Sequence, residues 1–161
     1  MKPETKRNIR IDAIIEFTEE YILKNGYSPT IMEVAQGIKE CKSTIYEDIL
    51  YAQSIGRLKY AYSKDRTLMP TSLEYVKIKE KDKSVLSKRL QNCYRILEQF
   101  VIEQNYIPSY REIGELLNIA SPSCIQTYIE GLYSAGFIEN LTEGQSRAYK
   151  LTEYAYRRKR V

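Results

Sequence analysis

The sequence of 161 residues contains no histidine and no tryptophan, and only three cysteines. Each shortage removes a class of chemistry. Without histidine there is no Ser-His-Asp or Cys-His catalytic set, no imidazole to shuttle protons near neutral pH, and no Cys/His zinc site. Cys41, Cys93 and Cys124 are odd in number, widely spaced and free of any C-x-x-C pattern, as expected of reduced structural thiols in a reducing compartment. There is no Gly-rich phosphate loop and no cluster of metal-ligating side chains, so the expectation is a protein that is not an enzyme and takes no cofactor and no metal. Apolar runs such as Ala13-Ile14-Ile15 fall far short of the roughly 20 residues needed to cross a bilayer. Behind the charged stretch from Met1 to Arg7, Asp12 and Glu16 interrupt the isoleucines, so no secretory signal forms and a cytoplasmic location is expected.

What is present points to a folded binding protein. Hydrophobic residues make up 43% and charged residues 29%, the balance of a globular chain. The net charge of +4 is only mildly basic, and the one excess is fifteen tyrosines, a residue suited to half-buried surfaces and interfaces.

An internal repeat organises the chain. Asn25-Gly26-Tyr27-Ser28-Pro29-Thr30 with Glu33 and Val34 matches Gln104-Asn105-Tyr106-Ile107-Pro108-Ser109 with Glu112 and Ile113. Ser43, Ile45, Ile49, Ser54 and Gly56 then fall on Ser123, Ile125, Ile129, Ser134 and Gly136, and Thr71 and Tyr75 on Thr152 and Tyr156. Each copy opens with an amphipathic helix, marked by Ile11, Ile14, Ile15, Thr18 and Ile22 or by Leu90, Cys93, Leu97 and Val101. Thr30 with Glu33, and Ser109 with Glu112, have the capping-box spacing at the start of a short second helix. Ser43, and Ser121-Pro122, open a third helix that ends at Gly56 or Gly136. A strand, a polar turn and a second strand follow: Arg57 to Met69 in one copy, Phe137 to Leu151 in the other. The predicted fold is mainly α with small β-hairpins (α+β), as two tandem winged helix-turn-helix domains. Module 1 is placed at residues 1–75, a charged linker at 76–86, and module 2 with a basic tail at 87–161.

The second copy resembles the DNA-binding domain of the LexA repressor family. The likeness rests on Ile107-Pro108-Ser109-Tyr110-Arg111-Glu112-Ile113-Gly114, Ser121-Pro122-Ser123, Ala135-Gly136-Phe137-Ile138 and Ser146-Arg147-Ala148. The first copy shares Gly26-Tyr27-Ser28-Pro29-Thr30 and Glu33-Val34-Ala35 but lacks the Ser-Pro. In LexA a self-cleaving peptidase domain follows this module. Here Val161 comes directly after the second wing, so the resemblance implies DNA binding without self-cleavage.

Double-stranded DNA is therefore the expected partner, bound by a repressor that works as a monomeric pseudo-dimer or a homodimer. The third helix of such a motif enters the major groove. With Ile125 and Ile129 inward, Ser121, Ser123, Cys124, Gln126 and Thr127 face out in the second copy; Lys42, Ser43, Thr44, Tyr46 and Glu47 do so in the first. Glu47-Asp48 would place acid against phosphate. Lys64, Arg66, Gln145 and Arg147 are expected at wing tips, and Arg157, Arg158, Lys159 and Arg160 in a tail suited to phosphates, as are Lys2, Lys6, Arg7 and Arg10 before the first helix. The alternative is a phage or mobile-element protein that inhibits a protein or nucleoprotein complex, an anti-repressor or nuclease inhibitor, through an acidic or Tyr-rich surface that includes Tyr46, Tyr51, Tyr128 and Tyr133.

Overall fold

Ile11, Ile14, Ile15, Thr18 and Ile22 lie on one stripe of the first helix, α1 (Pro3–Asn25), and all five are buried. A computed structural model describes residues 1–142 and 144–160, which leaves Glu143 of the second wing and Val161 outside the described residues. Pro3 sits in the first turn of α1, and Gly26, with φ of 83°, ends it by donating its N–H to the carbonyl of Ile22. There follow α2 (Ile31–Ile38), α3 (Lys42–Ser54), β1 (Leu58–Lys59), β2 (Met69–Pro70) and β3 (Leu73–Lys77). After a short 3-10 turn at Lys83–Val85 the same order returns: α4 (Lys88–Gln104), α5 (Tyr110–Leu117), α6 (Pro122–Ser134), β4 (Ile138–Glu139), β5 (Lys150–Leu151) and β6 (Tyr154–Arg158).

The second helix of each copy begins as its spacing predicts, with one difference. Ser109 and Glu112 close a full capping box on α5. Thr30 accepts from the Glu33 N–H, but the Glu33 carboxylate turns away to Arg66 and leaves the first box half made. The third helix of the first copy starts one residue before Ser43, with Cys41 as its N-cap, the counterpart of Ser121.

Each copy buries its own core. Ile11, Ile14, Val34, Ile45, Ile49 and Leu68 form one; Tyr94, Leu97, Ile113, Ile125, Ile129 and Tyr149 anchor the other. The wing ladders are shorter than the sequence suggests, two paired residues per strand in β1–β2 and in β4–β5.

The sequence pattern missed the element that joins the copies. β3 and β6 pair with each other in antiparallel register, with Tyr75 opposite Tyr156, Leu73 opposite Arg158 and Lys77 opposite Tyr154. Tyr75 and Tyr156 are also equivalent positions of the repeat, as are Leu73 and Tyr154. A strand that meets its own repeat mate antiparallel, centred on the equivalent residue, defines a local twofold axis. Around this axis Ile22, Met69, Leu73 and Tyr156 form a third cluster drawn from both copies, with Tyr75 stacked on Tyr154 at 5.0 Å. Tyr27 of the first copy joins the core of the second. Tyr27, Tyr75, Tyr154 and Tyr156 thus take part in this junction.

Two expectations about charged segments are corrected. Val76 and Lys77, assigned to the linker, belong to β3, and the rest of the segment is held in place. The Glu153 carboxylate, fully buried, accepts from the Tyr94 hydroxyl at 2.7 Å and from the Lys81 N–H at 3.3 Å, and pairs with Lys83 at 3.6 Å and Lys77 at 3.7 Å. Arg157 and Arg158, assigned to a tail, belong to β6, where Arg157 pairs with Glu74 at 2.7 Å and Arg158 with Glu19 at 3.3 Å. The carboxylates that neutralise them come from the other copy, which local sequence does not reveal.

Candidate nucleic-acid interface

The outer face of α6 is polar and open. Ser121, Ser123, Gln126 and Thr127 are exposed and Cys124 is half-buried, while Ile125, Ile129 and Leu132 occupy the core. The first turns are ordered by local bonds: Ser121 and Ser123 hydroxyls meet at 2.9 Å, and Thr127 donates to the Ser123 carbonyl at 2.9 Å. Gln126 donates from Nε2 to Glu130 at 3.1 Å. Both groups are exposed, so exchanging that bond for another partner costs little. Between α5 and α6 lies an open groove of about 560 Å³, lined by Tyr110, Arg111, Asn118, Ser121, Pro122 and Ile125.

On α3, Lys42, Ser43 and Glu47 are exposed, and Thr44 and Tyr46 are half-buried. Tyr46 packs edge-on against Tyr60 at 6.4 Å. At the N-cap, Cys41 Sγ lies 3.4 Å from the Ser43 hydroxyl and 2.9 Å from that of Thr44, and hydrogen bonds from these two groups bring the thiol down to about 7. Asp48 does not share the face of Glu47. Its side chain is 1% exposed, held by Arg10 at 2.6 Å and Arg7 at 3.4 Å, so the helical turn sends adjacent acids to opposite sides. That pairing turns Arg10 toward Asp48, while Arg7 keeps 41% of its side-chain surface.

The wing arginines are corrected in the same way. Arg66 is 5% exposed and Arg147 is 8% exposed, so neither stands at an open tip. Both adopt left-handed backbone, with φ of 58° and 57°, which folds each side chain back onto the second helix of its own copy. Arg66 donates to Glu33 at 2.6 Å and Arg147 donates to Glu112. The wings then cross. Arg66 also donates to Gln145 at 2.6 Å, Arg147 to the Asp65 carbonyl at 3.2 Å, and Lys64 to Glu112 at 3.1 Å. Lys64 and Gln145 keep part of their surface, and Lys159 and Arg160 are exposed beyond β6.

Three cations near the third helices escaped the sequence-based set. Arg111 is 90% exposed at the start of α5, beside Ser121 across the groove. Arg89 is exposed in the first turn of α4 and faces Tyr128 on α6. Lys39 is exposed in the turn before α3, with left-handed φ of 59°. The signal for Arg111 is its place inside the Pro-Ser-x-x-Glu stretch that matches Pro29-Thr30-Ile31-Met32-Glu33 of the first copy. Tyr51 lies under the Arg7 guanidinium at 5.0 Å and Tyr133 is about half exposed. Among the described residues no group of three or more acidic or cysteine side chains is placed to hold a metal, and no helix is long and apolar enough to cross a membrane.

Comparison with known proteins shows what the second copy is similar to. The model of the LexA DNA binding domain matches residues 83–148, which takes in α4, α5, α6, β4 and most of the second wing. The LexA repressor of Listeria welshimeri is 40% identical over 53 residues, 33% of this chain and 26% of that protein. That of Geobacillus thermodenitrificans is 42% identical over 53 residues, with the same shares. That of Thermobifida fusca is 32% identical over 57 residues, 35% of this chain and 23% of that protein. The chain thus spans about a quarter of the length of the curated relatives it matches. From Lys83 to Ala148 the chain is thus similar to the DNA-binding domain of the LexA type.

Proposed function

We propose that the protein is a sequence-specific regulator of transcription, a bacterial or phage repressor that acts by occupying duplex DNA with α6 in the major groove. The observation that carries this reading is the open polar face of Ser121, Ser123, Gln126 and Thr127 on the third helix of a LexA-type domain. Gln126 is the residue suited to adenine, whose N6 amino group donates to the amide oxygen and whose N7 accepts from the amide nitrogen, and the Thr127 methyl suits a thymine methyl. Arg89, Lys39, Lys42, Lys159 and Arg160 would supply phosphate contacts, together with Arg111, Arg7, Arg157 and Arg158, whose ion pairs lie at the surface, whereas Arg10, Arg66 and Arg147 are held by carboxylates inside the chain.

A second reading, binding of a protein through α3, draws on Glu47 and Tyr46, which suit phosphate poorly, and on the withdrawal of both wing arginines. Selection from random duplex DNA near physiological salt separates the two. Enrichment of a motif, with preference relaxed by about 1–3 kcal/mol in Gln126→Ala, is the expected result. Recovery of no motif, with only weak salt-sensitive binding, would refute DNA reading and favour the protein partner.

A further inference from the structure

The two third helices are not free to move relative to each other. The β3–β6 ladder fixes the copies about the Tyr75–Tyr156 axis, the Glu153 cluster pins the connecting segment, the wings exchange two hydrogen bonds, and Lys64 of the first wing reaches Glu112 on α5. Asn140 adds a fourth contact between the copies, donating to the Asn25 carbonyl at 2.9 Å. Lys42 and Tyr46 of α3 line one groove with Ser63 and Asp65 of the first wing, and that wing touches the second. The third helices therefore belong to two copies joined at their wings and related by a local twofold axis at β3–β6.

The backbone of B-DNA has local twofold axes of its own, and two helices related in this way suit two half-sites about one turn apart. The side chains break the symmetry. Where α6 offers Ser121, Ser123, Cys124, Gln126 and Thr127, α3 offers Lys42, Ser43, Thr44, Tyr46 and Glu47. Gln126 suits adenine, whereas Glu47 suits the N4 donor of cytosine, so the acid that disfavours phosphate becomes a base-reading group.

We infer that a single chain binds one non-palindromic duplex site, built of two unlike half-sites whose spacing is set by the locked wings. This rests on the DNA-binding reading above. It differs from a symmetric dimer in stoichiometry, in the site selected and in the residues that set the spacing. Lys64, Gln145 and the carbonyl of Asp65 become spacing determinants, with no base contact required of them.

The test uses the full chain and the duplex enriched by selection. The expected complex holds one chain per duplex by native mass spectrometry, and the motif has two dissimilar halves. Inserting five base pairs between the halves, about half a turn, should lower affinity by at least about tenfold, because a rigid pair cannot follow the rotated half-site. Glu47→Ala should relax preference in one half only and Gln126→Ala in the other. In the double variant Lys64→Ala, Gln145→Ala the ratio between best and worst spacing should shrink, a readout that cancels any uniform loss of phosphate affinity. A palindromic motif with two chains per duplex, a single half-site, or indifference to spacing in the unmodified chain would overturn the inference while leaving DNA binding intact. An unchanged spacing ratio in the double variant would overturn the role given to the wings. Failure to enrich any duplex would overturn the DNA-binding reading itself.

Discussion

Replacing Glu112 with glutamine keeps the shape of the side chain and its acceptor for Ser109, but removes the charge on which two cations rest. The Glu112 carboxylate accepts from the Ser109 N–H at 3.1 Å, the Ser109 hydroxyl at 3.0 Å, Lys64 at 3.1 Å and Arg147. Arg147 depends on it most. It is 8% exposed, its Nε finds no acceptor among the described residues, and its other contacts are the Asp65 carbonyl and the Tyr106 ring, 5.7 Å from the guanidinium. Weakening a charged hydrogen bond to a buried guanidinium costs about 1.5–3 kcal/mol. The Lys64 pair adds roughly 0–0.5 kcal/mol, because that amine is 42% exposed and screened by solvent. The expected total is about 1.5–3.5 kcal/mol, or a fall in Tm of about 3–14 °C for a chain of this size. Glu33→Gln, the equivalent change in the first copy, should cost only about 1 kcal/mol: Glu33 is 31% exposed and Arg66 keeps Tyr21, the Ser28 carbonyl and Gln145. Urea unfolding of both variants measures the difference. If Glu112→Gln costs less than about 0.5 kcal/mol, or no more than Glu33→Gln, the account of Arg147 as a buried cation fails. Acid unfolding gives a second measure. Burial pushes the Glu112 carboxyl up, but the Ser109 N–H, Lys64 and Arg147 outweigh it and hold it below the usual carboxylate range. A depressed carboxylate contributes stability that is fully present above its unfolded value of about 4.3 and lost as pH falls through the lower folded value. The acid limb should be shallower in Glu112→Gln.

Neighbouring acids on α3 should behave differently: Asp48→Ala is expected to cost about 2–3 kcal/mol by leaving Arg10 and Arg7 without their partner. Glu47→Ala should change stability by less than about 0.5 kcal/mol, and equal losses in denaturant titrations would contradict the assignment of their faces. Alkylation of Cys41 should reach half its limiting rate near pH 7, whereas Cys93, buried and pushed up to about 12, should stay unreactive in the folded protein. A midpoint above about 8.5 would show that Ser43 and Thr44 do not stabilise the thiolate. Gly26→Ala should destabilise by about 1 kcal/mol or more, because φ is 83° and the added carbon meets the Lys150 side chain at 2.5 Å; a neutral result in thermal melts would mean that Lys150 moves aside freely.

The helices of both copies were legible because their signals are local. The isoleucine stripe of α1, the Thr30 and Ser109 caps and the Gly56 and Gly136 stops all act within a turn or two of the chain. The repeat itself made the order of elements legible twice. Where pairing reaches across the copies, local signals mislead. Leu73 to Lys77 ran into a charged segment, and Arg157 with Arg158 resembled a solvated run, because their partners stand in the other half of the chain. The polar loops that hold Arg66 and Arg147 looked open for the same reason. Only the left-handed turn at each arginine, together with the glutamate three residues into the second helix, brings these cations inward. Asp48 is a milder case, since a helical wheel separates it from Glu47 once Ile45 and Ile49 are set inward, but nothing local names Arg10 as its partner.

The strand that seals the two copies is made late. Tyr156 follows Tyr75 by 81 residues, so at roughly 5–20 residues per second a ribosome completes β3 about 4–16 seconds before its partner exists. For that interval the first copy carries an open strand edge, the kind of surface that recruits a neighbouring nascent chain. β3 is only five residues long and bears Glu74 and Lys77, charges that resist pairing with a second β3 in most registers yet meet Arg157 and Tyr154 when β6 arrives. The same residues that bind the halves together thus protect the earlier half while it waits.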